Sequence, residues 1–312
     1  MKTWQVFFLV IASSFLGLLL YIVSPKGLTS VKEEGKTNPV QELVDTVAGR
    51  PTTILLTGDV MLGRSVMSKS LKNQNPNYPF EKVAEKLKKA DLVLINLENP
   101  IVENCPYVDS GFKFCADPKM LTGLTYSGVD VANIANNHTY NYGKDGFEQT
   151  KKYLNDIGVS YVGDSNLVIK EVGGTKFGFL GFDYVTNKPK TSDFDQIRES
   201  KILVDVLIVA VHWGIEYKDV PSVSQEQIAK DLVASGADVI AGTHPHWEQT
   251  FETVNGKPVY YSLGNFIFDQ MWSEPTKRGM VAELTYKDKV LEKQKQMHIY
   301  MENFAQPQFL ED

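Results

Sequence analysis

The chain has 312 residues, 43% hydrophobic and 22% charged, a composition of a folded globular protein with a substantial core. Its net charge of −6 gives no sign of a polyanion-binding face, so nucleic acid is not an expected partner. No Gly-rich phosphate loop ending in Lys-Ser/Thr is present, which excludes a P-loop ATPase or ligase.

In chain order, Val6 to Val23 is an unbroken apolar run without charge, of the length that crosses ~30 Å of hydrocarbon. No small-x-small cleavage site precedes Ser24-Pro25, which favours an uncleaved signal anchor over residues 1–23 rather than a signal peptide. Residues 24–51 read as a flexible linker, polar and punctuated by Pro25, Gly27, Gly35, Pro39 and Gly49, with a short helix over Val40 to Val47. The globular part is expected over 52–312.

From Thr52 strands and helices alternate. Apolar runs ending in polar groups predict strands at Thr53 to Asp59, Leu92 to Glu98, Val129 to His138, Val206 to His212 and Ala237 to Ala241. Helical spacing appears at Phe80 to Lys89, Asp117 to Leu124, Asp145 to Ile157, Phe194 to Leu203 and Gln225 to Ala234. Short strands are expected near Ser160 to Val162, Leu167 to Val172 and Phe177 to Phe182. Beyond them Phe251 to Val254 and Pro258 to Leu263 flank an Asn255-Gly256 hairpin turn, and Met280 to Tyr286 pairs with Gln296 to Asn303. The whole is α/β with an appreciable antiparallel share.

The strand exits carry the chemistry: Asp59, Glu98, Asn137-His138, His212 and His244-Pro-His246. Residues just past the carboxyl ends of parallel strands line the crevice where such sheets bind ligands. Pro245 has a fixed φ and biases His244 towards an extended conformation, a stiff turn suited to two imidazole ligands. Each exit also has a plainer account: a cap at Asp59, a turn at Asn137, a satisfied interior imidazole at His212. Clustered at strand exits, the histidines favour a site, whereas His298 lies in the last strand pair and reads as structural. A mixed nitrogen and carboxylate set suits divalent manganese, zinc or iron better than calcium.

These residues resemble a known family. The order Gly58-Asp59, an acid after a strand, Asn137-His138, a lone His and His244-x-His246 is similar to calcineurin-type metallophosphoesterases. More closely, Gly58 to Arg64, Asn96 to Pro100, Asn136-Asn-His138, Val211-His-Trp-Gly214, His244-Pro-His246 and Tyr261 to Phe266 resemble CapA-type proteins of poly-γ-glutamate capsule synthesis. The resemblance implies a metallophosphoesterase-like mixed β-sandwich flanked by helices in α-β-β-α layers, carried on one transmembrane helix, and one or two divalent ions. It places Asp59, Glu98 and His246 on a first metal, with Glu98 bridging, and Asn137, His212 and His244 on a second. His138 becomes the proton donor beside the metals. Arg64 is a candidate clamp for a carboxylate or phosphate oxygen, and Trp213, Glu216 and Asn265 are weaker candidates for the pocket wall. Two positions depart from the pattern: Met61 stands where a metal-binding His is expected, and Glu98 where an Asp is expected.

The expected role is a single-pass, membrane-anchored, extracytoplasmic component for synthesis, export or retention of poly-γ-glutamate or a similar anionic polymer. Polymerisation would need membrane-protein partners including an ATP-dependent ligase. The alternative is a free-standing metal-dependent hydrolase of envelope phosphoesters or amides. Cys105 and Cys115 bracket a turn at Asp109-Ser-Gly111, a spacing compatible with a disulfide, two reduced thiols or a soft-metal pair. A disulfide would persist only in an oxidising compartment and so would agree with an outward-facing domain.

Overall fold

A computed structural model describes residues 49 to 311. The apolar run at 6–23 and most of the 24–51 linker lie outside the described residues; among those described, no helix is long and apolar enough to cross a membrane.

The long apolar runs become strands because each is buried on both faces. β1 (Thr52–Val60), β2 (Leu92–Leu97), β3 (Val131–Asn133) and β4 (Ser160–Val162) pair in parallel. The sheet continues beyond β1 as an antiparallel wing of β12 (Arg278–Lys287), β13 (Val290–Glu302) and β14 (Gln306–Phe309). β11 (Asn265–Ile267) also pairs with β1, in parallel. The second sheet, with six strands, runs in the order β5-β6-β7-β8-β10-β9. Its parallel centre is β6 (Thr175–Asp183), β7 (Val206–His212), β8 (Val239–Thr243) and β10 (Lys257–Tyr260). β5 (Val168–Val172) and β9 (Phe251–Val254) are its antiparallel edges.

The two-residue alternation of side chains sorts the core into three layers. Between the sheets, Ile54, Leu56, Leu94 and Val131 meet Phe179, Ile208, Val239 and Ala241. On the outer face of the first sheet, Leu55, Val93, Ile95 and Ala132 pack against residues of helices α1 (Arg64–Lys72), α2 (Ala84–Leu87), α3 (Thr122–Ser127) and α4 (Gly143–Asp156). On the outer face of the second, Leu207, Val209 and Ile240 meet Ile197 of α5 (Thr191–Leu203) and Ala229 and Leu232 of α6 (Val223–Ser235). The order of layers is therefore helix, sheet, sheet, helix.

Several expected elements differ. The helix anticipated over Phe80 to Lys89 is a 3-10 turn at Tyr78–Phe80, begun by Pro79, followed by one turn of α-helix at Ala84–Leu87. The strand anticipated over Val129 to His138 ends at Asn133, whose amide bonds the backbone of Ala135 on both sides and turns the chain. α1, β11 and β14 were not anticipated. β11 can lie against β1 because Gly58 has no side chain: a Cβ there would stand 1.9 Å from Gly264 O.

Candidate metal centre

The parallel strands of both sheets point their carboxyl ends at one place. Asp59 is the penultimate residue of β1, Glu98 follows β2, and Asn137 and His138 sit in the loop after β3. His212 ends β7, and His244-Pro245-His246 follows β8. The stiff turn is not extended as Pro245 suggested. His244 has φ 100° and His246 φ 60°, positive values that side-chain-bearing residues avoid. The compensation is visible: this turn brings His244 N within 3.3 Å of Asp59 Oδ2, and Tyr217 N holds Pro245 O at 2.8 Å. Strained backbone held by such contacts clusters at functional sites.

Asp59, Glu98 and His212 each present a ligand-type atom within 4.8 Å of the others. His246 lies between the carboxylates, with Nδ1 3.2 Å from Asp59 Oδ2 and Nε2 3.7 Å from Glu98 Oε1. His212 Nε2 is 3.0 Å from Asn137 Oδ1, and its ring centre is 4.8 Å from that of His244. His138 Nε2 lies 3.8 Å from Glu98 Oε1. All six residues proposed as ligands, and His138, thus come together. Arg64 is also close, but its fork is taken up by Asp269 and its Nη1 donates to Gly111 O at 2.7 Å. His298 is elsewhere, on β13, paired with Glu248 at 2.9 Å and half exposed.

Asp59, Glu98 and His212 are fully buried. Burial would raise the Asp59 carboxyl, but the His246 hydrogen bond and the charges of His246 and His212 outweigh it and hold the group well below the usual range. Glu98 moves the other way, raised well above the usual range by burial and then by the Asp59 charge. Burial pushes His212 far down, and brings His138 and His244 to about 4. Both Glu98 oxygens and His244 Nδ1 are buried without a hydrogen-bond partner among the described residues. A buried carboxylate with empty lone pairs is costly unless a cation meets it. Carboxylate, imidazole and amide donors brought together in this way fit a divalent ion of the manganese, iron or zinc class.

A supporting shell escaped the sequence reading. Asn96, a polar residue inside the β2 apolar run, donates to Asp59 Oδ1 at 2.8 Å and lies 3.2 Å from His212 Nδ1. Asn133 in turn donates to Asn96 Oδ1 at 2.9 Å, and Thr243 Oγ1 is 2.9 Å from His212 Nδ1. Asn265 Oδ1 stands 3.0 Å from His246 Nδ1, so it orients a ligand rather than forming a pocket wall. Of the other wall candidates, Glu216 is half-buried and adds to the upward push on Glu98. Trp213 is buried in the outer layer of the second sheet, donating to Tyr261 O at 2.8 Å. Met61 is fully buried in the helix-side layer, and its sulfur accepts from Gly63 N at 3.1 Å.

One wall comes from the loop closed by a Cys105–Cys115 disulfide, whose Cα atoms are 5.9 Å apart. Its Phe114 ring stacks on His138 with centroids 3.9 Å apart, and the Arg64 guanidinium lies 4.5 Å from the same ring. Phe114 N donates to Asn141 Oδ1 at 2.6 Å, which fixes the orientation of that amide. The same oxygen is 3.0 Å from His138 Nδ1 and can only accept, so Nδ1 carries the proton and Nε2 faces the centre.

The profile described as "Bacterial capsule synthesis protein PGA_cap" matches residues 53–270. The chain is 32% identical over 259 residues to "Capsule biosynthesis protein CapA" of Bacillus anthracis, covering 73% of this chain and 62% of that protein. It is 32% identical over 248 residues to "PGA biosynthesis protein CapA" of Bacillus subtilis strain 168, covering 72% and 65% respectively. The matched part therefore spans somewhat under two thirds of these relatives' own length. Among solved structures, a hypothetical protein from Thermus thermophilus shares the fold, with TM-score 0.55 at 14% identity over 80% of this chain and 100% of that one.

Proposed function

This chain belongs to the bacterial capsule synthesis protein family PGA_cap, and from that premise we propose that it helps to make, export or retain poly-γ-glutamate or a similar anionic polymer through a divalent-metal centre. The observation that carries the metal is the pair of unpartnered, buried Glu98 oxygens among Asp59 and the imidazoles. In this reading Asp59, Glu98 and His246 hold one ion, and Asn137, His212 and His244 a second, in a metallophosphoesterase-like arrangement. When bound, such an ion supplies Lewis acidity to a substrate oxygen. The chain's own residues do the rest: Thr243 and Asn265 orient ligating imidazoles, and His138 offers Nε2 as the atom through which a proton passes. The 6–23 run anchors the chain in the membrane with the domain outside, an arrangement supported by the Cys105–Cys115 bond, and a separate ATP-dependent ligase joins the monomers.

The placement of His138 favours a second reading, a metal-dependent hydrolase of envelope phosphoesters or amides. One comparison tests both. Cells that make the polymer carry the wild-type chain, Glu98→Gln or His246→Ala; cell-associated polymer is measured, with metal content by mass spectrometry on the purified protein. Loss of both polymer and metal in the variants supports the first reading. Full polymer with cleavage of a phosphodiester by the purified wild type favours the second. Undiminished metal in both variants overturns the centre itself.

A further inference from the structure

The Arg64 guanidinium is committed to two partners before any ligand arrives. Nε and Nη2 both meet the Asp269 carboxylate, Nε at 3.1 Å from Oδ2, and Nη1 donates to Gly111 O at 2.7 Å. Ser65 N adds a bond to Asp269 Oδ2 at 3.2 Å. Side-chain exposure is 11% for Arg64 and 4% for Asp269, so the pair is shielded from water. The backbone is bent to allow this. Arg64 has φ 44°, and a Cβ on Gly63 would stand 2.1 Å from Cys115 O, so the start of α1 lies directly against the disulfide loop. Such strain persists only where surrounding contacts over-determine it.

The loop depends on that side chain. Among the described residues, no backbone–backbone hydrogen bond reaches residues 106–114. Gly111, at φ 102°, turns its carbonyl to Arg64, whose guanidinium lies 4.5 Å from the Phe114 ring centre and 5.7 Å from that of Phe268. Phe114 carries the hold onward: its N–H donates to Asn141 Oδ1 at 2.6 Å, and its ring stacks on His138. With that oxygen turned to Phe114, Asn141 offers His138 only an acceptor, and the imidazole proton stays on Nδ1. Were Phe114 N withdrawn, the Asn141 amide could rotate by a half-turn and present its NH2 to Nδ1 instead, moving the proton to Nε2.

We infer that Arg64 is a positioning residue for His138: by holding Gly111 O and lying against Phe114 it keeps Asn141 turned, and so keeps the bare Nε2 of His138 towards the centre. The inference rests on the proposed function only for the use made of Nε2, not for how His138 is held. A point charge does not replace the fork. Arg64→Lys keeps a cation beside Asp269 but cannot hold both of its oxygens and Gly111 O at once. A buried ion pair exchanged for apolar side chains of similar volume often keeps its stability, so Arg64→Met/Asp269→Leu removes the fork while sparing the fold.

The test is magic-angle-spinning NMR of the full chain, metal-free and with histidine labelled at its ring nitrogens, at a pH of about 8 where imidazoles are neutral. His138→Gln identifies the resonances, and Asn141→Leu shows the imidazole without its acceptor. The expected result in wild type is a single His138 form, protonated at Nδ1. In Arg64→Lys, Arg64→Met/Asp269→Leu and Asn141→Leu a second form appears, protonated at Nε2, while thermal unfolding of the double variant stays near that of the wild type. A single Nδ1-protonated form in both Arg64 variants overturns the inference and leaves the metal and polymer reading in place. The same single form in Asn141→Leu overturns it as well, because the acceptor then does not set the proton. Cell-associated polymer is measured in the same Arg64 variants. Polymer lost together with the single form upholds both the positioning and the use of Nε2. Full polymer beside a displaced proton upholds the positioning and removes the proton role of His138 from the proposed function.

Discussion

Two histidine–carboxylate pairs in this protein use the same residue types to opposite ends. On the antiparallel wing, His298 and Glu248 meet at 2.9 Å, half in water. At the crossing of the parallel strands, His246 and Glu98 stand at 3.7 Å, almost wholly buried. The closer pair is the less consequential. Water screens and hydrates the wing pair, so it contributes little whether made or broken. At the centre the Glu98 oxygens find no donor among the described residues, in a setting where an unmet charge is expensive. Unmet valence under burial, rather than proximity, separates a site from an ornament of the surface.

The widest gap between the regions should appear in metal affinity. Glu98→Gln, His244→Ala and His246→Ala should each weaken metal binding by more than the ~10–100-fold typical of outer-shell partners, whereas His298→Ala should leave it unchanged. Calorimetric titration with manganese or zinc reads this directly, and equal affinity in the Glu98 and His298 variants would erase the contrast.

The wall of the centre comes next. Replacing Cys105 and Cys115 with Ser opens a loop whose bridged ends are 10 residues apart. Loop-closure entropy values that constraint at about 3 kcal/mol, or roughly 6–10 °C in Tm for a domain of this size. Because Phe114 beside the bridge stacks on His138, the loss should also expose that ring, seen as a chemical-shift change of the His138 side chain. An unchanged Tm would mean that the loop is held without the bond.

Acid should then find the centre through its neutral imidazoles. Burial holds His138 and His244 at about 4, against about 6.5 in an unfolded chain. Between those values the unfolded chain binds more protons than the folded one, so stability is complete above 6.5 and is lost as pH falls towards 4. Glu98, with its raised carboxyl, acts in the opposite sense over part of the same window, but as one group against three imidazoles, since burial pushes His212 down as well. The metal-free protein should therefore lose stability steadily as pH falls through this window, read as a falling urea midpoint. A flat profile would mean that the imidazoles accept protons as freely as in the open chain.

The smallest effect belongs to the wing. His298→Ala or Glu248→Gln should change stability by no more than about 0.5 kcal/mol. A loss several times larger would show the wing pair to be built like the centre.

The contrast also explains what could be seen in the sequence. β7 ran from Val206 to His212 as anticipated, and the Asn255-Gly256 turn joins β9 to β10, with both residues at positive φ. Runs buried on both faces and turns needing positive φ carry their instructions locally. The residues at the strand exits were legible for the same reason. Asn96 was visible as one polar side chain in an apolar run, but its hydrogen bond to Asp59 depends on the register of β1 on β2, and its approach to His212 on the packing of the second sheet. The Arg64 fork was out of reach, because Asp269 is 205 residues away and the sequence holds no mark of that approach. The broken helix after Tyr78 shows the converse: helical spacing survives in the buried positions Phe80, Val83, Ala84 and Leu87, while Pro79 starts a tighter turn.

β1 is the strand on which early and late chain meet. One edge pairs with β2, and the other is completed by β12 and β11 from beyond residue 264. Asp59 and Glu98 leave the ribosome early; His212, His244, His246 and Asn265 come in the last third. Contacts so far apart close slowly, since the entropy of joining distant segments is lost before any contact rewards it. A half-made chain carries two carboxylates with none of those imidazoles beside them, and cannot keep an ion tightly. For the metal centre proposed above, loading would thus be tied to completion: a chain cut short, or threaded across a barrier while still unfolded, would travel empty and take its ion from whatever bathes the place where folding ends.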